Sequence, residues 1–351
     1  MPRNPSIGET SVRVLLIKTS SLGDIVHTFP ALTDASNAIP GIQFDWVVEE
    51  AFADIAAMHP AVRNVLPCAI RRWRKAPFVT WRNREWHDFK KRLKAEKYDL
   101  VIDAQGLIKS ALITRHAQGE KVGLDKHSAR EPLSARVLQR PIAVAKGQHA
   151  IVRLRELFAK ALGYEVPATE IDFGLPSAAR KDTSEKKSII FFHGTTWATK
   201  HWPTEYWHAL AKLSSAAGCR VVVPWSNDEE KERAHAIVQG VENAELLPKM
   251  TLAELLSYML SLDGFVAVDT GLAHLSAAAN LPGVVLYGPT NPGLTGVRSA
   301  NSQNLSATFS CAPCMQEKCT YQGKEGAGIF PPCFSALPPD AVWRAVFAAI
   351  Q

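Results

Sequence analysis

Asp269, Thr270 and His274 fall within Val266-Ala267-Val268-Asp269-Thr270-Gly271-Leu272-Ala273-His274, where an apolar run gives way at once to polar residues. A carboxylate, a hydroxyl and an imidazole gathered at such a strand-to-helix junction can fix sugar hydroxyls. The backbone N–H groups and positive dipole end of a helix opening at Gly271 can take an anion, a diphosphate above all. Together these suit a nucleotide sugar. Thr195, Thr196 and Lys200 offer two hydroxyls and a point charge to phosphate oxygens. The other reading of that segment is a loop with a solvated lysine and packing tryptophans. Among Asp228, Glu229 and Glu230, one carboxylate could hold ribose hydroxyls, or all three form an acidic first turn favoured by the helix dipole.

Asp24 is the carboxylate of the first strand-to-helix loop and follows Gly23, where backbone can approach a ligand closely. It suits a general base at a cleft, but a helix N-cap is the more usual place for such an Asp. From Arg71 to Lys94, ten Lys and Arg stand against Glu85 and Asp88, interleaved with Trp73, Phe78, Trp81, Trp86 and Phe89. Stacking on nucleic acid, a solvated amphipathic helix with packed aromatics, and a site for an anionic lipid head group all fit. Cys311-x2-Cys314-x4-Cys319-x13-Cys333 opens with a zinc-like spacing that the second half lacks. A structural metal, free thiols and a redox-labile pair stay open. No Gly-x-Gly-x-x-Gly follows a strand and no Walker phosphate loop is present, which weighs against dehydrogenases and P-loop enzymes.

The elements that must position these residues alternate. Arg13–Lys18, Phe44–Val48 and Leu100–Asp103 read as strands, and Ile25, Phe29 and Leu32 lie in a helix-like stretch. A polar, structure-poor linker over about 167–187 is the best domain boundary. The alternation then restarts with strands at Ser188–Phe192, Arg220–Val223, Gly264–Val268 and Gly283–Tyr287. Helices fall at Thr204–Ala217, Asn227–Val238 and, at the end, Ala341–Ile350. The continuously apolar Gly264–Val268 suits a central parallel strand covered on both faces. Strand–helix alternation predicts two doubly wound α/β domains with ligands outside the carboxyl ends of the strands. No sequence repeat relates the halves.

The chain has 351 residues, 46% hydrophobic and 21% charged, with a net charge of +6. That length suggests two domains with separate cores. Met1–Ser11 holds no apolar core segment, so no secretory signal is expected, and no apolar run approaches the ~20 residues of a membrane span. A cytoplasmic protein follows, whose six cysteines read as thiols or metal ligands rather than disulfides.

Seven motifs in order, from Lys18-Thr-Ser-Ser-Leu-Gly-Asp24 through Phe44-Asp-Trp-Val-Val-Glu-Glu50, Ala69-Ile-Arg-Arg-Trp-Arg-Lys75, Asp103-Ala-Gln-Gly106, Lys200-His-Trp-Pro203 and Leu247-Pro-Lys-Met250 to Asp269-Thr-Gly-Leu-Ala-His274, closely resemble the ADP-heptose glycosyltransferases, in particular the heptosyltransferase I type. The resemblance implies a GT-B fold, two Rossmann-like domains facing across a cleft. Residues 12–175 would bind acceptor and 186–337 ADP-heptose, with a terminal helix at 338–351 packing back on the first domain. It implies inverting transfer of heptose from ADP-heptose to the 5-hydroxyl of the first Kdo of Kdo2-lipid A. No metal or cofactor and no nucleic acid take part, and the enzyme is peripheral on the cytoplasmic face of the inner membrane. Asp24 matches the general base. Thr195, Thr196 and Lys200 match donor-phosphate contacts, with Lys200 also supporting the leaving group. Glu230 and Met250 match the nucleoside pocket. Asp269, Thr270, Gly271 and His274 match diphosphate and heptose contacts, and Asp269 suits sugar hydroxyls better than a diphosphate that it would repel. Arg71, Arg72, Arg74, Lys75 and Arg130 match cations facing acceptor carboxylates and phosphates. After about Pro292 the cysteine-bearing segment departs from the pattern. The alternatives are addition of the second heptose and, outside enzymes, nucleic-acid binding through 71–94.

Overall fold

The computed structural model describes residues 12–178 and 186–351. The opening residues, read above for a secretory signal, residues 179–185 of the expected linker and the side chain of Trp81 lie outside the described residues. The chain divides between Gly174 and Leu175 into two units.

In the first unit β1 (Arg13–Ile17), β2 (Gln43–Glu49), β3 (Val62–Cys68), β4 (Lys97–Asp103), β5 (Gln118–Leu124) and β6 (Arg140–Ile142) form one sheet, in the order β3-β2-β1-β4-β5-β6. In the second, β7 (Ser188–Phe192), β8 (Arg220–Val223), β9 (Ala244–Leu246), β10 (Gly264–Val268), β11 (Gly283–Tyr287) and β12 (Ser302–Ser306) follow the order β12-β11-β10-β7-β8-β9. All pairings are parallel. Numbered from its own first strand, each sheet reads 3-2-1-4-5-6, so the halves share a topology that no sequence repeat betrays. The order reverses between β1 and β4 and between β7 and β10. Ligands of doubly wound sheets bind beyond the carboxyl ends of the strands at such a reversal.

Burial explains the strand chemistry. β7, β10 and β11 are buried at every residue, as central strands covered on both faces must be. The expected helix through Ile25, Phe29 and Leu32 is two helices, Leu22–Val26 and Phe29–Ala38. Pro30 is the reason. Inside one helix it would leave the Val26 carbonyl without its donor, whereas in a first turn its missing N–H costs nothing. The Phe29–Ala38 helix packs on the Ala150–Leu162 helix, where Arg155 makes a bidentate buried contact to Asp34 at 2.6 and 3.1 Å.

The terminal helix is Pro339–Ala349. Val342, Val346 and Ile350 enter the second unit's own core with Trp202, Trp207 and Phe334. The helix lies beside the Thr204–Ala216 helix and β10 to β12. Among the described residues no helix is long and apolar enough to cross a membrane.

Candidate functional site

At the first order reversal, Lys18 leaves β1 buried and reaches across it. Its Nζ donates to the carbonyl of Ala104 at 3.2 Å and lies 3.3 Å from Asp24 Oδ1. Gln105 ties the two loops together, its Oε1 accepting from the amides of Thr19 at 2.9 Å and Ser20 at 3.3 Å. Asp103 shapes the β4 loop by accepting from the amides of Gln105 and Gly106.

Asp24 is not the N-cap. Ser21 is, and Asp24 closes a capping box from the third helical position, accepting at Oδ2 from the Ser21 amide (2.7 Å) and hydroxyl (3.2 Å). Its side chain keeps 42% exposure. Burial pushes its pKa up, but the Lys18 ammonium and the Ser21 donors outweigh that and hold it below the ordinary carboxylate value. It is therefore an ionised, half-open carboxylate at the switch point, able to accept a proton.

Around it stand residues that sequence reasoning missed. Lys109 donates to Ser20 Oγ at 2.8 Å, and burial lowers its pKa against the opposing pull of Glu49. Glu49 ends β2 and is buried; its amide donates to the Thr19 carbonyl and its Oε1 accepts from the Arg71 amide at 3.1 Å. Burial raises its pKa.

The basic segment is not one helix but three, Ile70–Lys75, Pro77–Arg82 and Glu85–Leu93. Arg71 lies over the Phe52 ring at 5.6 Å, while Arg74, Lys75 and Arg130 are exposed. Arg72 is committed to carboxylates, 2.7 Å from Glu85 and 3.2 Å from Glu50. Trp73, Trp86 and Phe89 pack on one another at 5.5–5.7 Å, so these rings are not stacking platforms for bases.

At the second reversal the same device recurs with a different carboxylate. Lys200 Nζ is 2.8 Å from Asp269 Oδ2 and 4.6 Å from the centre of the Trp197 ring. Thr290, in the loop three residues after β11 and not foreseen from sequence, donates to the same Oδ2 at 2.7 Å. His274 Nε2 lies 3.7 Å from Oδ1. Burial pushes Asp269 up, but His274 and Lys200 prevail and hold its carboxyl well below the usual range. Thr195 joins the two loops, its hydroxyl donating to the Asp269 carbonyl at 3.1 Å. Thr270 caps the Gly271–Ala278 helix by backbone alone, with no side-chain capping bond, and Thr196 is exposed.

Glu230 comes to the same strand ends. It is the third residue of the Asp228–Val238 helix, capped by Asn227, and accepts from the Ser226 amide at 2.8 Å and hydroxyl at 2.6 Å. Gly194 makes room for it, since a Cβ there would lie 2.6 Å from Glu230 Oε1. Met250 is half-buried, one residue before the Thr251 cap of the Leu252–Met259 helix. The six cysteines are free thiols, and among the described residues no group of three or more is arranged to hold a metal ion.

Residues 86–325 match the family described as "Glycosyltransferase family 9 (heptosyltransferase)". The chain is 52% identical to lipopolysaccharide heptosyltransferase 1 of Pseudomonas aeruginosa, over 94% of this chain and 96% of that protein. It is 49% identical to the Escherichia coli K12 protein of the same name, over 81% and 90%. Among solved structures, "E. coli heptosyltransferase WaaC with ADP" superposes with a TM-score of 0.78 at 47% identity, covering 84% of this chain and 93% of that one. E. coli ADP-heptose heptosyltransferase II shares the fold, with a TM-score of 0.73 at 20% identity. With its two six-stranded parallel sheets, the chain has the GT-B architecture of these enzymes and belongs to glycosyltransferase family 9, the heptosyltransferases.

Proposed function

We propose that this chain transfers heptose from ADP-heptose to the 5-hydroxyl of the first Kdo of Kdo2-lipid A, as a peripheral enzyme on the cytoplasmic face of the inner membrane. The observation that carries the reading is the matched pair of lysine–carboxylate contacts at the two order reversals. Lys18 keeps the half-open Asp24 ionised in one unit. Asp269 holds Lys200 beside the opening of a helix in the other.

Each has a task in a single displacement with inversion. The Kdo hydroxyl oxygen bonds to the anomeric carbon of heptose, the bond from that carbon to the ADP oxygen breaks, and the hydroxyl proton passes to Asp24. Negative charge grows on the leaving diphosphate. Lys200, the hydroxyls of Thr196 and Thr270 and the first amides of the Gly271–Ala278 helix meet that charge. Asp269 and His274 face the sugar, and Asp269 also aims Lys200. Glu230 and Met250 hold the nucleoside. Arg71, Arg74, Lys75 and Arg130 take the acceptor's carboxylates and phosphates, while Arg72 braces its helix against Glu50 and Glu85.

The test is transfer from ADP-heptose to Kdo2-lipid A, to a delipidated Kdo2 acceptor and to the already heptosylated product, read by mass. Product from the first two and none from the third is expected; preference for the third would reassign the chain to the second heptose. Asp24→Asn is expected to lose about 100-fold or more in kcat while its affinity for ADP stays within twofold. A variant with near-normal turnover removes Asp24 from the base role.

A further inference from the structure

Phe78 and Val79 are adjacent on the short Pro77–Arg82 helix, and the two residues are 86% and 54% exposed. Phe78 is the most exposed large hydrophobic residue among those described. Lone apolar residues on a surface are ordinary. This pair differs in its setting. Arg74, Lys75, Arg82 and Arg84 surround it in sequence, all are exposed, and their side chains enter no ion pair among the described residues. The nearby carboxylates are already engaged, Glu85 by Arg72 and the Trp73 indole and Asp88 by His87. The neighbouring Trp73, Trp86 and Phe89 turn inward onto one another and anchor the flanking helices. The fold therefore buries Phe89 and half-buries Trp73 and Trp86, and leaves Phe78 exposed.

We propose that Phe78 and Val79 form a wedge that enters the acyl boundary of an anionic lipid leaflet, with Arg74, Lys75, Arg82 and Arg84 on the lipid head groups. The inference rests on the lipid-linked acceptor reading above and names the surface by which the enzyme meets the membrane carrying that acceptor. Each cation near an anionic surface adds about fivefold to binding, and full burial of one large apolar side chain adds about tenfold. Nucleic acid fits less well. An aliphatic Val79 has no ring to stack, and among the described residues the rings of Trp73, Trp86 and Phe89 pack on one another rather than beside Phe78.

The experiment is flotation of the full chain with vesicles of phosphatidylethanolamine and phosphatidylglycerol that contain no Kdo2-lipid A, beside vesicles of phosphatidylcholine alone. Binding to the anionic vesicles that weakens with salt is expected. Phe78→Ser should lower the partition coefficient about tenfold and the Phe78→Ser/Val79→Ser pair further, whereas Phe78→Leu keeps most of it. Unchanged partition in the double variant, or wild-type protein that ignores anionic vesicles and retains a single-stranded oligonucleotide, overturns the wedge. Heptose transfer to the delipidated acceptor should stay unaltered in Phe78→Ser. That assay reports the activity reading by itself, so its failure in the wild type is distinguishable from a failure of the vesicle test.

Discussion

Asp269 and Lys200 are bound to each other, yet their loss should have unlike consequences. Asp269 has further partners in Thr290 and His274, so a chain without Lys200 still satisfies its carboxylate. Lys200 has only the Asp269 carboxylate as an ion-pair partner among the described residues, and its side chain is 16% exposed. Lys200→Ala should therefore fold normally and fail at the ligand. One charge-assisted contact to the diphosphate is worth roughly 1.5–3 kcal/mol, so the Kd for ADP rises about tenfold or more by calorimetry. Asp269→Ala leaves a half-buried ammonium unpaired and should cost about 3 kcal/mol of stability, read in thermal melting, before any effect on ADP is measured. Equal melting temperatures for the two variants, or unchanged ADP affinity in Lys200→Ala, would argue that the pair is a surface ornament rather than the donor's anchor.

Loops carry the site, and what holds them is set by strand order. Gln105 joins Thr19 and Ser20 across 86 and 85 residues of sequence, and Lys109 reaches Ser20 across 89. Gln105→Ala leaves two amides at the first order reversal without an acceptor, at about 1–3 kcal/mol in total stability. It should also lower kcat, since the Ser21 cap that holds Asp24 begins where those amides end, while ADP affinity stays unchanged. A melting temperature and kcat equal to wild type would show that the loops hold themselves. The same distance explains what could be read beforehand. Asp24, Lys200 and Asp269 can be picked out as candidates because each lies in the polar loop that follows an apolar strand. Lys18, Gln105 and Thr290 become site residues only once β1 pairs with β4 and β10 with β11. Among the strands, the fully buried ones announced themselves, but β3, β6, β9 and β12 are edges. An edge strand needs no continuous apolar run and tolerates proline, so Pro67 and Pro141 hid two of them and polar Ser302-Gln-Asn-Leu-Ser306 a third. The terminal helix is legible as an element because its apolar residues recur at helical spacing.

Each unit has its own core and also its own buried, neutral histidine, which ties the stability of the whole chain to pH. His59 accepts at Nδ1 from the Ala61 amide, so its Nε2 carries the proton toward Thr33 Oγ1 at 3.0 Å. His193 Nε2 donates to the Pro224 carbonyl at 3.2 Å, and its Nδ1 is buried without a hydrogen-bond partner among the described residues. A second proton on either ring would break a bond or bury a bare charge. Burial accordingly lowers both pKa values to about 4. The unfolded chain binds those protons near the ordinary histidine value of about 6.5. Below that pH the unfolded state holds more protons than the folded one, so each histidine withdraws stability as pH falls from about 6.5 to about 4. Between pH 7 and pH 5 the loss is about 2 kcal/mol for each. Glu49 and Asp103 work the other way: burial raises their pKa values, so the folded state gains from protonation as pH falls. The net slope of the wild type is thus smaller than the histidines alone would give, and the sharp measurement is a difference between variants. His59→Gln and His193→Asn, compared with wild type by urea unfolding at pH 7 and pH 5, should each flatten the acid loss by about 2 kcal/mol. A variant that keeps the wild-type slope would mean that its histidine already shares its proton with water in the folded chain, and that the core around it is open.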